Sequence, residues 1–559
     1  MKRPSYSCGA ASLPLNYETI PQALVRAAND QPDREALVVR HQGVRLSWSQ
    51  LAGRVDRAAA GLLALGLERG DRVAMWGPTS AEWIITFLAC ARAGLILVTV
   101  NPAYRAPELH HALKSSGVRA LVLAERFKTS DYVAMLLELA PELGHGPRGV
   151  VCEQLPDLRF VVGLGRTTPA MIPFAELEAG EREFDRDALD RLTATISPDD
   201  CVCIQFTSGT TGVPKGATLT HFGLLNNGYM TLHVMGAVAT DRVCIPVPLF
   251  HCFGLVVGIL GSITHGVAMI FPGEGFDPGE VLATIEEERC TAVYGVPTMF
   301  IAELTHPDFG SFDLSSLRTG IMGAAPCPED VMQRVISDMH MNDVTIAFGM
   351  TETSPVSFQT LATADMETRV STVGTVHPWV EARVADTEDR PVPLGTVGEL
   401  HIRGYGVMRG YWGDPAKTAE TIDAAGWLRT GDLATMDEQG RCRIVGRSKD
   451  MIIRGGENIY PVEVENFLRT HPDIVDVAVF GVPDERMGEE ACAWVKASSP
   501  VTIDDVRAFC AGRLAHYKVP RYLRVVDSFP MTASGKMQKQ AMRETEATSR
   551  AAPARRAEA

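Results

Sequence analysis

The stretch that decides the fold lies near the middle of the chain and reads Thr207-Ser208-Gly209-Thr210-Thr211-Gly212-Val213-Pro214-Lys215-Gly216. It follows an apolar segment, residues 202–206, that predicts a β-strand. Its glycines let the backbone approach a polyphosphate closely, its hydroxyls and N–H groups can donate to phosphate oxygens, and Lys215 adds a positive charge. It is not a Walker A loop, because the four residues after Gly209 lead to Pro214 and not to Gly-Lys. The competing interpretation, a Gly/Thr turn between a strand and a helix, accounts poorly for ten residues in this order.

Length and composition indicate a globular protein of several packed units. The chain has 559 residues, of which 46% are hydrophobic and 22% charged, values that exclude a disordered or fibrous chain. The net charge is −15, and no run of Lys and Arg is longer than Arg555-Arg556. We therefore predict no nucleic-acid partner.

Cysteine usage and the N-terminus predict a cytoplasmic protein with reduced thiols. Twelve cysteines are spread thinly, and the Cys201-Val202-Cys203 pair has no second pair with which to form a zinc site. Residues 1–16 lack the apolar core of a secretory signal. The apolar stretches 83–100 and 249–271 contain charged residues, histidines or glycines, so we expect buried core elements and no transmembrane segment.

Apolar strands and amphipathic helices alternate from about residue 20 to residue 370, a pattern typical of parallel sheets covered by helices. Strands are predicted at 72–76, 95–100 and 119–123 and a helix at 80–93. From about 375 to 445 short strands and many turns predict a β-rich subdomain. A compact α+β pattern follows, with helices at 462–469 and 503–514 and strands at 475–481 and 491–497. We place a domain boundary near Lys449, giving domains of 1–448 and 449–546 and a frayed tail of 547–559.

The stretch 207–216 resembles the phosphate loop of the adenylate-forming (AMP-binding) superfamily, which contains acyl-CoA synthetases, luciferases and peptide-synthetase adenylation domains. Further segments match its motifs in order: Gly323-Ala-Ala-Pro326, Phe348-Gly-Met-Thr-Glu352, Gly398–Gly404, Thr430-Gly-Asp432, Gly446–Asp450, Gly455–Pro461 and Ser534-Gly-Lys536. Four others look like fatty acyl-CoA synthetases, nearest to the medium-chain branch: Asn101–Tyr104, Pro248–Cys252, Met451–Pro461 and Arg486–Glu490. The resemblance implies an α/β fold, with a large N-terminal domain of helix-covered sheets plus the β-rich subdomain and a small mobile α+β C-terminal domain.

The resemblance also implies the nucleotide site. Residues expected to bind ATP or AMP are Thr207, Ser208, Gly209, Thr210, Thr211, Gly212, Lys215, Gly323, Ala324, Ala325, Phe348, Gly349, Asp432 and Arg447. Glu352, next to the catalytic candidate Thr351, is expected to hold Mg²⁺, a hard cation that prefers oxygen ligands. Phe348 stands where the superfamily more commonly has Tyr, so it keeps a stacking face for adenine and lacks the hydroxyl. Asp432 is expected to accept hydrogen bonds from the ribose hydroxyls. The alternative is a turn or a helix cap, of which a lone Thr-Gly-Asp sequence is also typical.

The C-terminal motifs imply the remaining roles. Lys536 is expected to sit beside the acid carboxylate and the α-phosphate during adenylation, where a cation offsets the repulsion of two anions. Lys539 is not at the motif position. Gly455, Gly456 and Glu457 are expected to admit the pantetheine arm of coenzyme A, with a β-turn between strand and helix as the alternative. Lys449 corresponds to the hinge, with an exposed linker lysine as the alternative.

His251 and the glycines that follow it allow two interpretations. Gly254, Gly258 and Gly261 would share one face of a helix, which could form a groove for an alkyl chain or permit close helix packing. His251 could line the acyl and thioester site or be an ordinary core histidine.

The sequence therefore predicts an ATP-dependent fatty acyl-CoA synthetase, with fatty acid, ATP and coenzyme A as substrates. The alternatives are a ligase that loads a carrier protein, a ligase for an aryl or other carboxylic acid, and a catalytically silent binding module. The co-occurrence of Glu352, Asp432, Arg447 and Lys536 argues against the silent module. Acyl chain length is not revealed, and a homodimer stays open.

Overall fold

The computed structural model describes residues 3–179, 186–207, 214–484, 486–531 and 537–551. The chain divides into two compact units. The larger unit comprises Ser7–Ala382 and Ile402–Leu428, and the smaller comprises Met1–Tyr6, Arg383–His401 and Arg429–Ala559. The predicted α/β fold class is confirmed, whereas the domain boundary near Lys449 stays a prediction.

Two sheets form the framework of the larger unit. In spatial order, the eight-stranded sheet consists of Ile172–Pro173, Phe160–Gly163, Val118–Leu123, Arg72–Trp76, Ile96–Val100, Cys201–Thr207, Lys215–Thr220 and Gly410–Tyr411. The nine-stranded sheet consists of Thr375–Val376, Val356–Gln359, Asp343–Gly349, Thr319–Gly323, Ala292–Gly295, Arg242–Cys244, Ala268–Phe271, Glu35–Val39 and Val44–Ser47. Two further short strands, Arg126–Phe127 and Ser130–Asp131, pair with each other as an antiparallel ribbon.

The sheets are mixed, which corrects the expectation of parallel sheets. The central pairs are parallel, as between Arg72–Trp76 and Ile96–Val100. Antiparallel pairs also occur, and several of them join strands with a short connection, as between Cys201–Thr207 and Lys215–Thr220. A connection of a few residues can reverse the chain but cannot supply the crossover that a parallel pair needs.

Helices surround these sheets. They span Ile20–Asp30, Trp48–Ala64, Ala81–Arg92, Ala106–Ser116, Tyr132–Leu139, Phe174–Ala179, Arg186–Thr193, His221–Met235, Gly261–His265, Pro278–Glu288, Pro297–Leu304, Glu329–Ser337, Met366–Ser371 and Pro415–Thr421, and Phe253–Leu260 is a π-helix. The helix predicted at 80–93 begins where the Ser80 side chain accepts from the Trp83 N–H, and it ends before Gly94 at φ 69°.

The two apolar stretches are core elements, as predicted. Residues 83–100 supply most of the helix Ala81–Arg92 and the strand Ile96–Val100, and all of them except the half-buried Gly94 are buried. Residues 249–271 supply the π-helix, the helix Gly261–His265 and the strand Ala268–Phe271, of which nearly every residue is buried. Among the residues described, none of the helices has the length and apolarity needed to cross a bilayer.

The smaller unit holds the C-terminal α+β elements. One sheet contains Glu457–Ile459, Ile452–Arg454, Gly488–Ala497 and Ile474–Asp484 in order, and Tyr522–Val525 pairs with Gly488–Ala497. Its helices are Pro461–Leu468, Ile503–Cys510 and Lys539–Ala551. The helix predicted at 503–514 ends at Cys510, because Ala511 leaves the helical conformation and Gly512 has φ 72°. The strands of the β-rich segment are Tyr6–Cys8, Val380–Ala385, Gly398–Gly404, Leu428–Met436 and Cys442–Arg447.

Candidate active site

The predicted phosphate loop connects the two strands of a hairpin. Thr207, the last residue of one strand, lies opposite Lys215, the first residue of the next. The helix follows only after the second strand, so the competing interpretation, a turn between a strand and a helix, is wrong. The predicted phosphate ligands Ser208, Gly209, Thr210, Thr211 and Gly212 fall outside the described residues.

Glu352 lies beside the first residue of this loop. The Thr207 hydroxyl donates to Glu352 Oε1 at 3.2 Å, and the Tyr411 hydroxyl donates to the same oxygen at 3.0 Å. The glutamate is only 6% exposed. Within the described ranges, no cationic side chain pairs with it and no hydrogen bond reaches its Oε2. A buried carboxylate that has one free oxygen and no ion-pair partner among the described residues is suited to bind a cation.

Asn227 fixes the turn that carries Thr351 and Glu352. This buried residue of the helix His221–Met235 donates from Nδ2 to the Val356 carbonyl at 2.8 Å and accepts the Val356 N–H at 3.0 Å. Within the turn, Thr353 Oγ1 donates to the Pro355 carbonyl at 2.8 Å. The backbone that carries Glu352 is therefore fixed on its C-terminal side.

Lys215, at the end of the loop, and Tyr411 lie on neighbouring strands of the eight-stranded sheet. The Lys215 ammonium lies 5.6 Å from the centre of the Tyr411 ring, a cation–π distance. Tyr411 is paired with Ala217 in the neighbouring strand, and the Trp412 N–H donates to the Gly216 carbonyl at 2.7 Å. Sequence reasoning missed Tyr411 and Asn227. The segment Gly410-Tyr411-Trp412, an aromatic pair after a glycine, is a signal that could have drawn attention to Tyr411.

The segment containing His251 reaches the same turn. Cys252 Sγ lies 3.7 Å from Thr351 Oγ1, so the Pro248–Cys252 motif and the Thr-Glu motif meet in the structure. His251 is half-buried, and its ring lies 5.2 Å from that of Phe250. His251 therefore immediately precedes a residue that contacts Thr351.

The predicted adenine-wall residues lie together at the end of two paired strands. Gly323 is in register with Ala347, one residue before Phe348. A side chain at Gly323 would lie 2.8 Å from the Ala347 carbonyl oxygen, so this close approach requires glycine. Ala324 has φ 69° and, like Ala325 and Gly349, is exposed, while the half-buried Phe348 packs edge-to-face on Phe358.

The glycines after His251 serve close packing and do not form an open groove. An added Cβ at Gly254 would lie 2.4 Å from the Pro248 carbonyl oxygen. At Gly261 it would lie 2.5 Å from Leu232 Cδ1, and at Gly258 3.1 Å from Ile245 Cγ2. The space beside these glycines is therefore already filled by backbone and side chains of the core.

Asp432 and Arg447 lie within the smaller unit. They are opposite each other in an antiparallel pair, and Arg447 Nε donates to Asp432 Oδ1 at 2.9 Å. Gly431, at φ 73°, donates its N–H to Glu399 Oε1, which fixes the Thr-Gly-Asp turn. Lys449 follows in the short turn Ser448–Asp450, where burial and the Arg447 charge lower the pKa of its ammonium.

Gly455 and Gly456 form a two-residue hairpin turn. They join Ile452–Arg454 to Glu457–Ile459, with Arg454 in register with Glu457. Their φ values are 57° and 89°, which only glycine adopts at low cost in such a turn. The predicted alternative, a turn between strand and helix, is wrong, because strands lie on both sides. Both of these glycines and Glu457 are exposed.

Lys536 falls outside the described residues. Lys539, which the sequence did not favour, contacts Glu465 Oε1 through its ammonium at 2.6 Å. Glu465 is buried and also accepts the Val479 N–H at 2.7 Å. Lys539 therefore has a structural partner.

Comparison with known proteins gives the same family along nearly the whole chain. The AMP-binding enzyme family matches residues 24–412, and the AMP-binding enzyme C-terminal domain matches residues 463–536. The medium-chain acyl-CoA ligase ACSF2, mitochondrial, of Bos taurus is 45% identical over 550 residues, covering 97% of this chain and 89% of the relative.

Solved structures share the fold. The anthranilate CoA ligase AuaEII in complex with anthranoyl-AMP superposes with a TM-score of 0.82 at 25% identity, covering 96% of this chain and 99% of that one. ATP-bound MatB from Rhodopseudomonas palustris gives a TM-score of 0.78 at 29% identity, covering 94% and 99%. Each of these proteins is similar to this chain over more than nine-tenths of its length.

Proposed function

Since this chain belongs to the AMP-binding enzyme family and is an acyl-CoA synthetase, an acid–thiol ligase with ATP and coenzyme A as substrates, we propose that its acid is a medium-chain fatty acid. The observation that carries the site is the contact between Thr207, at the start of the phosphate loop, and the buried Glu352. The similarity to the ACSF2 ligase of Bos taurus supports the chain length.

In the first step the fatty acid carboxylate attacks the α-phosphorus of ATP. A bond forms between a carboxylate oxygen and phosphorus, the bond to the β-phosphate oxygen breaks, and acyl-adenylate and pyrophosphate result. Lys215 and the loop from Thr207 to Gly212 are proposed to hold the phosphates. Phe348 and the backbone from Gly323 to Ala325 are proposed to contact adenine, and Asp432 with Arg447 the ribose. Lys536 is proposed to offset the charge that spreads at the α-phosphorus.

Mg²⁺ fits the residues around Glu352. The free Oε2 and the lack of an ion-pair partner for Glu352 among the described residues match a metal ligand, whereas Oε1 already accepts hydrogen bonds from two hydroxyls. Mg²⁺ is usually bound through one or two carboxylates together with substrate phosphates, and Glu352 supplies such a carboxylate. Bound there, Mg²⁺ would neutralise phosphate charge, and Thr351, the residue before Glu352, is proposed to take part in the same step.

In the second step the thiol of coenzyme A attacks the acyl carbon of the adenylate. The new bond is carbon to sulfur, the bond to the AMP oxygen breaks, and the thiol proton leaves to solvent or a base. His251 is proposed to line this acyl and thioester site. The exposed hairpin of Gly455, Gly456 and Glu457 is proposed to contact the pantetheine arm. Lys449 is proposed as the hinge that brings this hairpin into place.

A screen of carboxylic acids from two to eighteen carbons tests the substrate. AMP formation should be greatest for medium-chain acids with free coenzyme A as the acceptor. An aryl acid such as anthranilate and a carrier protein bearing pantetheine are the comparison substrates. A preference for either would replace the proposed activity by one of the alternatives, and no pyrophosphate release with any acid would indicate a silent binding module.

A cytoplasmic location and a homodimer are proposals as well. The twelve cysteines are spread thinly through the sequence, which supports a reducing compartment. The Bos taurus relative is called mitochondrial, so cell fractionation decides between the compartments. Sedimentation of the purified protein measures the oligomeric state, and a salt-dependent shift with added nucleic acid would contradict the prediction that none is bound.

A further inference from the structure

We propose that Tyr411 is a positioning residue for the Glu352 carboxylate, and that its hydroxyl turns the free oxygen of Glu352 toward the metal that accompanies ATP. This inference rests on the proposed metal role of Glu352. No superfamily motif identified in the sequence contains Tyr411, which lies 59 residues from Glu352 in the chain.

The hydrogen bonds leave only one oxygen available to a cation. Tyr411 and Thr207 both donate to Oε1, at 3.0 and 3.2 Å. Two donors on one carboxylate oxygen restrict rotation of the carboxylate group and leave Oε2 as the ligand atom, since no described residue donates to it. Partners that orient a ligand in this way typically contribute about 10–100-fold to metal affinity.

The Tyr411 hydroxyl is suited to remain a donor. A phenol keeps its proton near neutral pH, so Tyr411 donates this hydrogen bond to Glu352. Its backbone is fixed by pairing with Ala217, two residues after Lys215. The ring also lies under the Lys215 ammonium. One side chain thus connects a proposed phosphate ligand to a proposed metal ligand.

Removal of the hydroxyl alone tests this role. Tyr411→Phe keeps the ring under Lys215 and deletes the donor. ATP affinity of the full chain is measured by calorimetry with saturating Mg²⁺ and with EDTA, and the ratio of the two is the gain that Mg²⁺ provides. We expect Tyr411→Phe to reduce this gain about 10-fold and to leave the affinity in EDTA unchanged. A gain equal to that of the wild type overturns the proposal.

Tyr132→Phe is the matched control. It also deletes a phenol hydroxyl, which donates to the Pro102 carbonyl at 2.7 Å, but its ring packs in a different hydrophobic cluster. Its Mg²⁺ gain should equal that of the wild type. Thermal unfolding of both variants without ligand shows whether a loss comes from binding or from folding. If Tyr132→Phe reduces the gain as much as Tyr411→Phe, the effect is not specific and the proposal fails.

A double-mutant cycle separates this inference from the proposed function. Glu352→Gln should reduce the Mg²⁺ gain, and adding Tyr411→Phe should then have no further effect, because the tyrosine acts through the carboxylate. If Glu352→Gln leaves the gain intact, the metal role of Glu352 is wrong. If Glu352→Gln reduces the gain and Tyr411→Phe lowers it again by the same factor, Tyr411 does not act through Glu352.

Discussion

Arg447 and Asp432 form an ion pair directly across two antiparallel strands, with Nε 2.9 Å from Oδ1. The Asp432 side chain is 7% exposed, whereas that of Arg447 is 50% exposed. The arginine therefore holds a buried carboxylate in one orientation. In the proposed ribose role, this carboxylate would accept hydrogen bonds from ribose without first being ordered.

Replacement of Asp432 tests its role in binding ATP. We expect Asp432→Asn to raise the KM for ATP, because the ribose hydroxyls lose a charged acceptor worth about 1.5–3 kcal/mol. Asp389→Asn is the control, since it weakens another Asp–Arg pair in the same unit, with Arg429. Steady-state kinetics with ATP as the varied substrate decides the matter. Unchanged KM and kcat in Asp432→Asn would mean that this residue only stabilises the strand pair.

The sequence identified both members of this pair but not their contact. Motif order placed Asp432 and Arg447 near the nucleotide, whereas their pairing depends on a register that no periodic pattern encodes. The same holds for Asn227 and Val356, which are 129 residues apart. Local patterns predicted the strands at 72–76 and 119–123 and the helix at 80–93 to within a residue or two, because periodicity and caps are local.

The glycines after His251 show a second limit of sequence reasoning. A groove for an acyl chain and close packing require the same spacing, and only the opposing atoms distinguish the two. Those atoms belong to Pro248, Ile245 and Leu232, whose positions depend on the folded chain.

Alanine substitutions test the packing of these glycines. Gly254→Ala should reduce the free energy of unfolding by about 1–3 kcal/mol, because the new Cβ would lie 2.4 Å from a backbone oxygen of Pro248. Gly258→Ala should cost less, since its neighbour at 3.1 Å is the Ile245 side chain, which can move. Urea denaturation of both variants gives the comparison. Equal stability of Gly254→Ala and the wild type would mean that space is available there and would restore the groove.

The buried residue Glu303 is expected to make the free energy of unfolding depend on pH. It is 1% exposed, and burial raises its pKa from 4.5 to about 8. Between these values the folded protein binds a proton that the unfolded chain has released, so stability falls as pH rises from about 4.5 to about 8. Each pH unit in this interval costs at most about 1.4 kcal/mol. Glu303→Gln should therefore remove this contribution and raise the melting temperature at pH 8 more than at pH 5.

The exposed residue Glu138 provides the control for that experiment. Glu138→Gln makes the same chemical change on the helix Tyr132–Leu139 of the same unit. Its melting temperature should follow that of the wild type at both pH values. A Glu303→Gln profile parallel to that of the wild type would mean that Glu303 is ionised in the folded protein.

Substitution of Lys536 is expected to affect catalysis, whereas substitution of Lys539 is expected to affect stability. Lys536→Ala should lower pyrophosphate exchange about 10²–10³-fold and spare thioester formation from supplied acyl-adenylate, because only the first step brings two anions together. Lys539→Ala should lower the melting temperature, because the buried Glu465 loses its cation, and leave exchange close to normal. Near-normal exchange in Lys536→Ala would contradict the assignment of Lys536.

Lys449 is the proposed hinge, and its position suits a backbone rotation. It lies in the single turn Ser448–Asp450, between the strands Cys442–Arg447 and Ile452–Arg454. Lys536 is proposed to act on ATP and the Gly455-Gly456 hairpin on the pantetheine arm, and both follow Lys449 in the chain. Because both cannot occupy one site at once, the two steps require different orientations of the segment that carries them.

Proline at position 449 tests this requirement. Lys449→Pro fixes φ near −65° and removes a backbone donor, so it should hold one orientation. We expect pyrophosphate exchange to persist and acyl-CoA production to collapse, because adenylation comes first. Lys449→Ala keeps the backbone free and should retain both steps, and circular dichroism verifies the fold of both variants. If the two half-reactions fall by the same factor in Lys449→Pro, or if Lys449→Ala loses only the second step, the backbone at Lys449 is not the hinge.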